Sequence, residues 1–322
     1  MVSVDNLNII VWLILAAVLA LAEWGYIRIA RRYHIGISDT DSQGRRHFIA
    51  VGGGFIFILA AVIAVAFYPA TDRNMINVYM YTGGAALLAV MSYADDLVGL
   101  SARLRLVAHI VVIALVLAMY PFGGNVWLYL LAVTACTGYV NASNFMDGTN
   151  GMLALYSAVV LVSLLFVEVT ALGIALLTAV AVFAFFNCRK NAMVYSGDVG
   201  SISIGFFIAT TITYYILVSG EMSMAVFVAV FLTDTFCTFV IRLVNGERVL
   251  DSHRKHLYQR LIAAGYRPLA VAAVYAGLQL VVNAAWLAMP AHGRTPFALA
   301  AAAVLLATYT GLLIALTRKT EL

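Results

Sequence analysis

Four polar segments stand out in an otherwise apolar chain, and each holds residues able to handle a hard cation or an anion. The first is Asp95-Asp96-Leu97-Val98-Gly99-Leu100, with Arg103 and Arg105 behind it. Adjacent carboxylates at a membrane boundary are costly unless solvated or paired with a cation, and Mg²⁺ takes such hard oxygen ligands. Taken alone, the segment is equally a solvated acidic loop. The second is Asn141-Ala142-Ser143-Asn144-Phe145-Met146-Asp147-Gly148-Thr149-Asn150-Gly151. Asn144 and Asp147, three apart, share one face of a helical turn, and a bare glycine turn needs fewer polar groups than this. The third, Tyr195-Ser196-Gly197-Asp198-Val199-Gly200-Ser201, opens an apolar helix. An Asp between glycines at a helix N-terminus suits a metal ion bridged to a phosphate, with the dipole and free amides favouring the anion. An ordinary N-cap is the plainer alternative.

The fourth segment is Asp251-Ser252-His253-Arg254-Lys255-His256-Leu257-Tyr258-Gln259-Arg260. The spacing of His253 and His256 can bind a transition metal. Among Arg254, Lys255 and Arg260 the two read better as a phosphate clamp, because cations this close disfavour one another without an anion between them. Apolar and basic faces over 256–266 suggest a short amphipathic helix at the membrane interface. A weaker signal is Gly44-Arg45-Arg46-His47 followed by Gly52-Gly53-Gly54. Its glycines offer backbone amides to an anion, but taken alone it reads as topology-setting charge and close helix packing.

The elements that carry these segments follow from composition. The 322 residues are 64% hydrophobic and 11% charged, with a mean hydropathy of +0.97, which excludes a soluble globular domain. Eleven apolar runs recur, over roughly 8–29, 49–68, 76–93, 104–120, 126–140, 152–167, 170–186, 203–219, 223–241, 269–289 and 296–316, most of them near the length of a spanning helix. The expected fold is all-α, a single polytopic membrane domain over 1–322 with about 10–11 transmembrane helices, and with 242–268 as a loop holding the short amphipathic helix. If the N-terminus lies outside, seventeen of the nineteen lysines and arginines fall on the cytoplasmic side, leaving Arg73 and Arg294 outside. That is the positive-inside pattern, and it puts all four polar segments on the cytoplasmic face. Met1 to Asn8 lacks a basic n-region, so the first run is expected to remain as a helix. Cys136, Cys188 and Cys237 lie singly and offer neither a disulfide framework nor a CxxC site.

In combination the segments are specific. Asp95-Asp96-x-x-Gly99-Leu100, Asn141-x-x-Asn144-x-x-Asp147-Gly148-x-x-Gly151, Gly197-Asp198-x-Gly200-Ser201 and His253-x-x-His256, with Asp234-Thr235 and Arg242 between them, resemble the polyprenyl-phosphate N-acetylhexosamine-1-phosphate transferases of glycosyltransferase family 4. That family includes the O-antigen and teichoic-acid initiators and the phospho-MurNAc-pentapeptide translocase. The resemblance covers nearly the whole chain. It implies attack of undecaprenyl phosphate on the β-phosphorus of a UDP-amino sugar, release of UMP, and Mg²⁺ as cofactor, with Mn²⁺ as a substitute. It implies Asp198 and Asn144 at the metal, and Asp95, Asp96, Asp147, His253 and His256 as catalytic residues. Asn141, Arg254, Tyr195, Asn187, Arg46, Gly53 and Lys190 would then contact substrate, with Tyr195 placed to stack on uracil. The His-x-x-His-x-Tyr-Gln-x-Leu form is closer to the O-antigen initiators than to the peptidoglycan enzymes.

The expected setting is the bacterial inner membrane, with membrane lipids and a second copy of the chain as partners and no nucleic acid. The chain departs from the family pattern at Ile49-Ala50-Val51, where relatives carry a proline. It departs again at Arg189-Lys190-Asn191, where the Asn187 to Asp198 spacing is one residue longer. The rival readings are the peptidoglycan translocase itself and a lipid-linked sugar transporter. A transporter would place charges near the membrane midplane, whereas only Glu23 and Asp234 lie within the spans expected here.

Overall fold

The computed structural model describes residues 9–40, 46–67, 75–99, 101–248 and 255–320. The helices among them are α1 (Ile9–Tyr33), α2 (Phe55–Phe67), α3 (Met75–Val98), α4 (Ala102–Leu117), α5 (Val126–Met146), α6 (Met152–Val167), α7 (Ala171–Asn187), α8 (Gly197–Ser219), α9 (Ala229–Val244), α10 (Leu257–Ala263), α11 (Pro268–Ala288) and α12 (Ala291–Thr320). Each of the eleven apolar runs holds one long helical element, and α10 is the short helix expected in the loop after α9. Six stretches are long and apolar enough to cross a membrane: α1, α5, α8, Met222–Val244, α11 and α12. The chain is an all-α, multi-pass membrane protein.

Helix α8 sits at the centre, packed against α2, α3, α5 and α6, while α6 joins α7 and α11. Burial follows: 67% of the apolar window of α8 is buried inside the protein, against 6% for α12, which leaves α12 facing outward. Local signals set the ends. Ser101, Asn125 and Thr170 cap α4, α5 and α7 by accepting from the amides of Leu104, Leu128 and Gly173, which satisfies donors the helix leaves open.

Helices α3, α5 and α8 run past their apolar runs into the polar segments. Helix α3 continues through Asp95 and Asp96, α5 through Asn141 and Asn144, and α8 begins at Gly197. The polar segments are therefore mostly helix ends rather than loops. Capping and tertiary contacts carry a helix past the point where hydropathy falls.

A three-stranded sheet, which the all-α expectation lacks, joins the first connection to the start of α8. Strand β1 (Gly36–Thr40) pairs antiparallel with β2 (Arg46–Val51), and β2 pairs parallel with β3 (Val194–Tyr195). The ladder runs on into the glycines: the amides of Gly52 and Gly53 both donate to the Tyr195 carbonyl (3.0 and 2.9 Å), and that of Gly54 to Ser196 (3.0 Å). Gly54 also lies on Gly200. A Cβ on Gly54 would fall 2.1 Å from the Gly200 Cα, so the starts of α2 and α8 meet backbone to backbone, and only glycine permits that approach.

The ninth span is discontinuous. Met222–Val228 is a 3₁₀ stretch, and α9 begins after it. Buried Gln279 on α11 repairs the break, accepting from the Val230 amide (3.0 Å) and donating to the Val226 carbonyl (2.9 Å). Irregular backbone at membrane depth needs such a partner.

Candidate active site

Four helix ends converge. Asp95 lies in the last turn of α3, where the dipole is negative and a carboxylate is disfavoured. Arg105, in the first turn of α4, offsets it: its Nη1 is 2.8 Å from Asp95 Oδ2. The same nitrogen lies 3.4 Å from Asp198 Oδ2. Asp198 occupies the first turn of α8, the favourable end for an anion. From the last turns of α5, Asn144 Nδ2 donates to Asp198 Oδ1 (2.8 Å) and to Ser201 Oγ (3.0 Å). Asp95, Arg105, Asn144 and Asp198 thus form one cluster in which two carboxylates face a single cationic nitrogen.

Two cavities meet at this cluster. A groove of about 620 Å³ is lined by apolar side chains of α4, α5 and α9, among them Leu106, Val133, Leu232 and Phe236, and ends on Arg105, Asn141, Asn144 and Asp198. A smaller cleft of about 220 Å³ is lined by Val51, Asn144, Asp147, Gly148, Thr149, Tyr195, Gly197 and Asp198. Asn144 and Asp198 belong to both. Asp147 caps the end of α5 and accepts a short hydrogen bond from Ser196 Oγ. Enclosure of its carboxyl, with Asp198 nearby, pushes its pKa up from 3.8 to about 8 despite the Ser196 bond.

The fourth segment reaches the site through Asp234. This carboxylate, 2% exposed, accepts from the amides of Leu257 (3.0 Å) and Tyr258 (3.3 Å), from the Tyr275 hydroxyl (2.6 Å), and from His256 Nδ1 (3.2 Å). It fixes the start of α10. The Tyr258 hydroxyl then donates to the Phe145 carbonyl (3.0 Å), and a Cβ on Gly148 would fall 2.0 Å from that hydroxyl. Gly148 is what lets α10 dock on the end of α5. Behind α10, buried Arg242 binds Glu247 (3.1 Å) and the Arg248 carbonyl (2.6 Å), and Lys255 also binds Glu247 (2.5 Å).

Of the expected residues, Asp95, Asn144 and Asp198 come together, Asn141 lines the groove, and Asp147 and Tyr195 line the cleft. Three do not present themselves to substrate as expected. His256 is 2% exposed and lies beside Asp234, stacked on Tyr258. Gly53 is buried, with its amide given to Tyr195. Asn187 is buried and holds two turns together: Oδ1 accepts from the Gly151 amide (2.6 Å) and Nδ2 donates to the Val194 carbonyl (2.9 Å). The reason is common to all three, since buried backbone and side-chain polar groups at these turns need partners. Lys190 is exposed at the turn after α7. Arg46 begins β2 and Asp96 lies in the last turn of α3, with both side chains outside what the structure describes, and His253 and Arg254 lie outside the described residues. Arg105 and Ser196 were noted within the polar segments but given no role from the sequence. The signal for Arg105 was available: an acidic pair ending one helix calls for a cation near the start of the next.

Residues 78–216, which carry Asp95, Arg105, Asn144 and Asp198, match the model of glycosyl transferase family 4. The matched stretch is similar to that family. It is 24% identical over 300 residues to the phospho-N-acetylmuramoyl-pentapeptide-transferase of Bacillus licheniformis, covering 80% of this chain and 90% of that protein. It is 26% identical over 311 residues to the enzyme of the same name from Symbiobacterium thermophilum, covering 82% and 90%. A Bacillus subtilis protein named "Probable undecaprenyl-phosphate N-acetylglucosaminyl 1-phosphate transferase" is 25% identical over 260 residues, covering 72% and 71%. The chain is accordingly an enzyme, a phosphoglycosyltransferase.

Proposed function

We propose that the enzyme transfers an N-acetylhexosamine-1-phosphate, or a related amino-sugar-1-phosphate, from its UDP derivative to undecaprenyl phosphate. The transfer takes place at the cytoplasmic face of a bacterial inner membrane and starts a lipid-linked surface glycan of the O-antigen kind. The observation that carries this reading is the meeting of two cavities of opposite character at Asn144 and Asp198. The apolar groove suits a polyprenyl tail. The polar cleft, with Tyr195 on its wall, suits a nucleotide sugar. An oxygen of the lipid phosphate attacks the donor's β-phosphorus. The bond from that phosphorus to the α–β bridging oxygen breaks, and UMP leaves.

Such a transfer is mainly positioning and charge neutralisation. The acceptor phosphate is already largely dianionic at neutral pH, so no strong base is needed. Asp95 acts through Arg105, holding the guanidinium where the phosphates meet. The oxygen set fits Mg²⁺, which is typically held by one or two carboxylates together with substrate phosphates. Asp198, with Asn144 beside it and Asp95 across Arg105, would hold the ion. When bound, it supplies charge neutralisation at the diphosphate.

Support for an amino-sugar donor comes from the histidine segment and from the Bacillus subtilis relative. A peptidoglycan-type donor is the second reading, favoured by the two pentapeptide-transferase relatives. The test is UMP release by the purified enzyme with polyprenyl phosphate, a panel of UDP-amino sugars and UDP-MurNAc-pentapeptide. Lipid-dependent release that is lost on chelation of divalent cations and in Asp198→Asn is expected. Release from the pentapeptide donor alone would select the second reading, and no release from any donor would sink both.

A further inference from the structure

The groove wall carries polar side chains to which the transfer gives no role. His109 on α4 is 5% exposed and Thr137 on α5 is 6% exposed, while Thr235 on α9 is partly buried. All three line the 620 Å³ groove. His109 Nδ1, Thr137 Oγ1 and Thr235 Oγ1 are enclosed and make no hydrogen bond. Other hydroxyls in the bundle bond the carbonyl four residues back, as Thr134 does to Leu130, Thr178 to Ile174 and Thr213 to Ala209, at 2.8 to 2.9 Å. Thr137 and Thr235 do not. Orphaned polar groups at membrane depth are costly, and three of them around one groove point to a ligand that satisfies them.

Their depth identifies that ligand. His109 follows Arg105 by one helical turn, about 6 Å further along α4. Thr137 lies two turns from Asn144 along α5, and the Asn141 amide between them donates to the Thr137 carbonyl (2.8 Å). Beyond this band the α5 wall becomes apolar at Val133 and Leu130. The band therefore separates the charged cluster from the purely apolar end of the groove. A polyprenyl tail has no atom that can hydrogen-bond, so the phosphate is the one polar part the acceptor brings to this neck. Another cation here would pair with Asp95 or Asp198, whereas neutral groups can bond phosphate oxygens without competing for Arg105.

We propose that His109, Thr137 and Thr235 form a neutral collar that hydrogen-bonds the phosphate end of the polyprenyl acceptor and sets the depth at which it rests beside Arg105. The three are positioning residues, and the assignment rests on the acceptor reading of the groove given above. The test measures binding of polyprenyl phosphate, polyprenol of equal length and inorganic phosphate to the full-length protein in detergent, by native mass spectrometry. The variants are His109→Leu, His109→Gln and the paired Thr137→Val and Thr235→Val.

Affinity for polyprenyl phosphate should fall about tenfold in His109→Leu, the size of one hydrogen bond, and up to about a hundredfold in the double variant, which removes two, with polyprenol affinity unchanged. The KM for lipid should rise in parallel, while the KM for the UDP-sugar and kcat at saturating lipid stay within about twofold, and His109→Gln should restore most of the loss. Equal losses for phosphate and alcohol would show that the residues only shape the groove and would overturn the collar, as would unchanged affinities. Inorganic phosphate binding as tightly, with the same sensitivity, would make the site a free-anion site instead. Wild-type protein that binds polyprenyl phosphate no tighter than polyprenol would instead sink the acceptor reading itself.

Discussion

Arg105 is the residue on which the charge balance of the site turns. It bridges carboxylates from α3 and α8, so its removal leaves Asp95 and Asp198 facing each other without a cation. Arg105→Gln should lower kcat by about 10²- to 10³-fold, the scale of losing one positioned charge-stabilising group, and Arg105→Lys should recover part of it. Steady-state kinetics with both substrates saturating check this. Asp147 gives a second signature. Its pKa is about 8 folded against 3.8 ordinarily, so the folded state holds a proton that the unfolded chain has lost. Stability should therefore fall as pH rises between those two values and level off above about 8. Melting temperatures of ligand-free, metal-free protein across that range should show the decline, and Asp147→Asn should flatten it. That Asp95, Asn144 and Asp198 belong to one candidate site was legible in the sequence, because a polar residue is conspicuous in an apolar chain. The partnership of Arg105 with Asp95 and Asp198 was not, because it joins three helices.

At the scale of elements, a few buried polar side chains hold the site's supports in place. Asp234 accepts from two backbone amides, an imidazole and a tyrosine, and so ties the start of α10 to α9 and α11. Asp234→Ala leaves those donors unsatisfied, at about 1–3 kcal/mol for each buried orphan. Thermal unfolding should show a loss of several kcal/mol, and Asp234→Asn a smaller one. Gln279→Leu should likewise destabilise the break before α9 by about 1–3 kcal/mol, without changing the KM for either substrate.

Hydropathy located every long helix, because each spanning segment announces itself by length and composition. It could not place the ends of α3, α5 and α8, where polar residues continue the helix under capping and tertiary contact. Nor could it show the sheet. Gly36-Ile-Ser-Asp-Thr40 carries no strand pattern of its own, and its pairing with β2, like that of β2 with β3 more than 140 residues on, is a non-local contact. The burial of Gly53, Asn187 and His256 was hidden for the same reason, since a polar residue reads alike whether it meets a ligand or a neighbouring turn.

At the scale of the whole molecule, a central buried helix, α8, carries Asp198 at one end, and the surrounding helices shape an apolar groove on one side of it and a polar cleft on the other. Under the proposed function, one substrate belongs to each cavity and the phosphates meet at their junction. The most direct test follows the phosphorus. A UDP-amino sugar labelled in the β-phosphate would be incubated with the enzyme, polyprenyl phosphate and Mg²⁺, and the organic-extractable lipid separated from the nucleotide. Transfer of sugar-1-phosphate predicts that the β-label moves to the lipid while unlabelled UMP is released. Label that stays with the nucleotide, appearing as UDP beside a glycosylated lipid, would contradict the account.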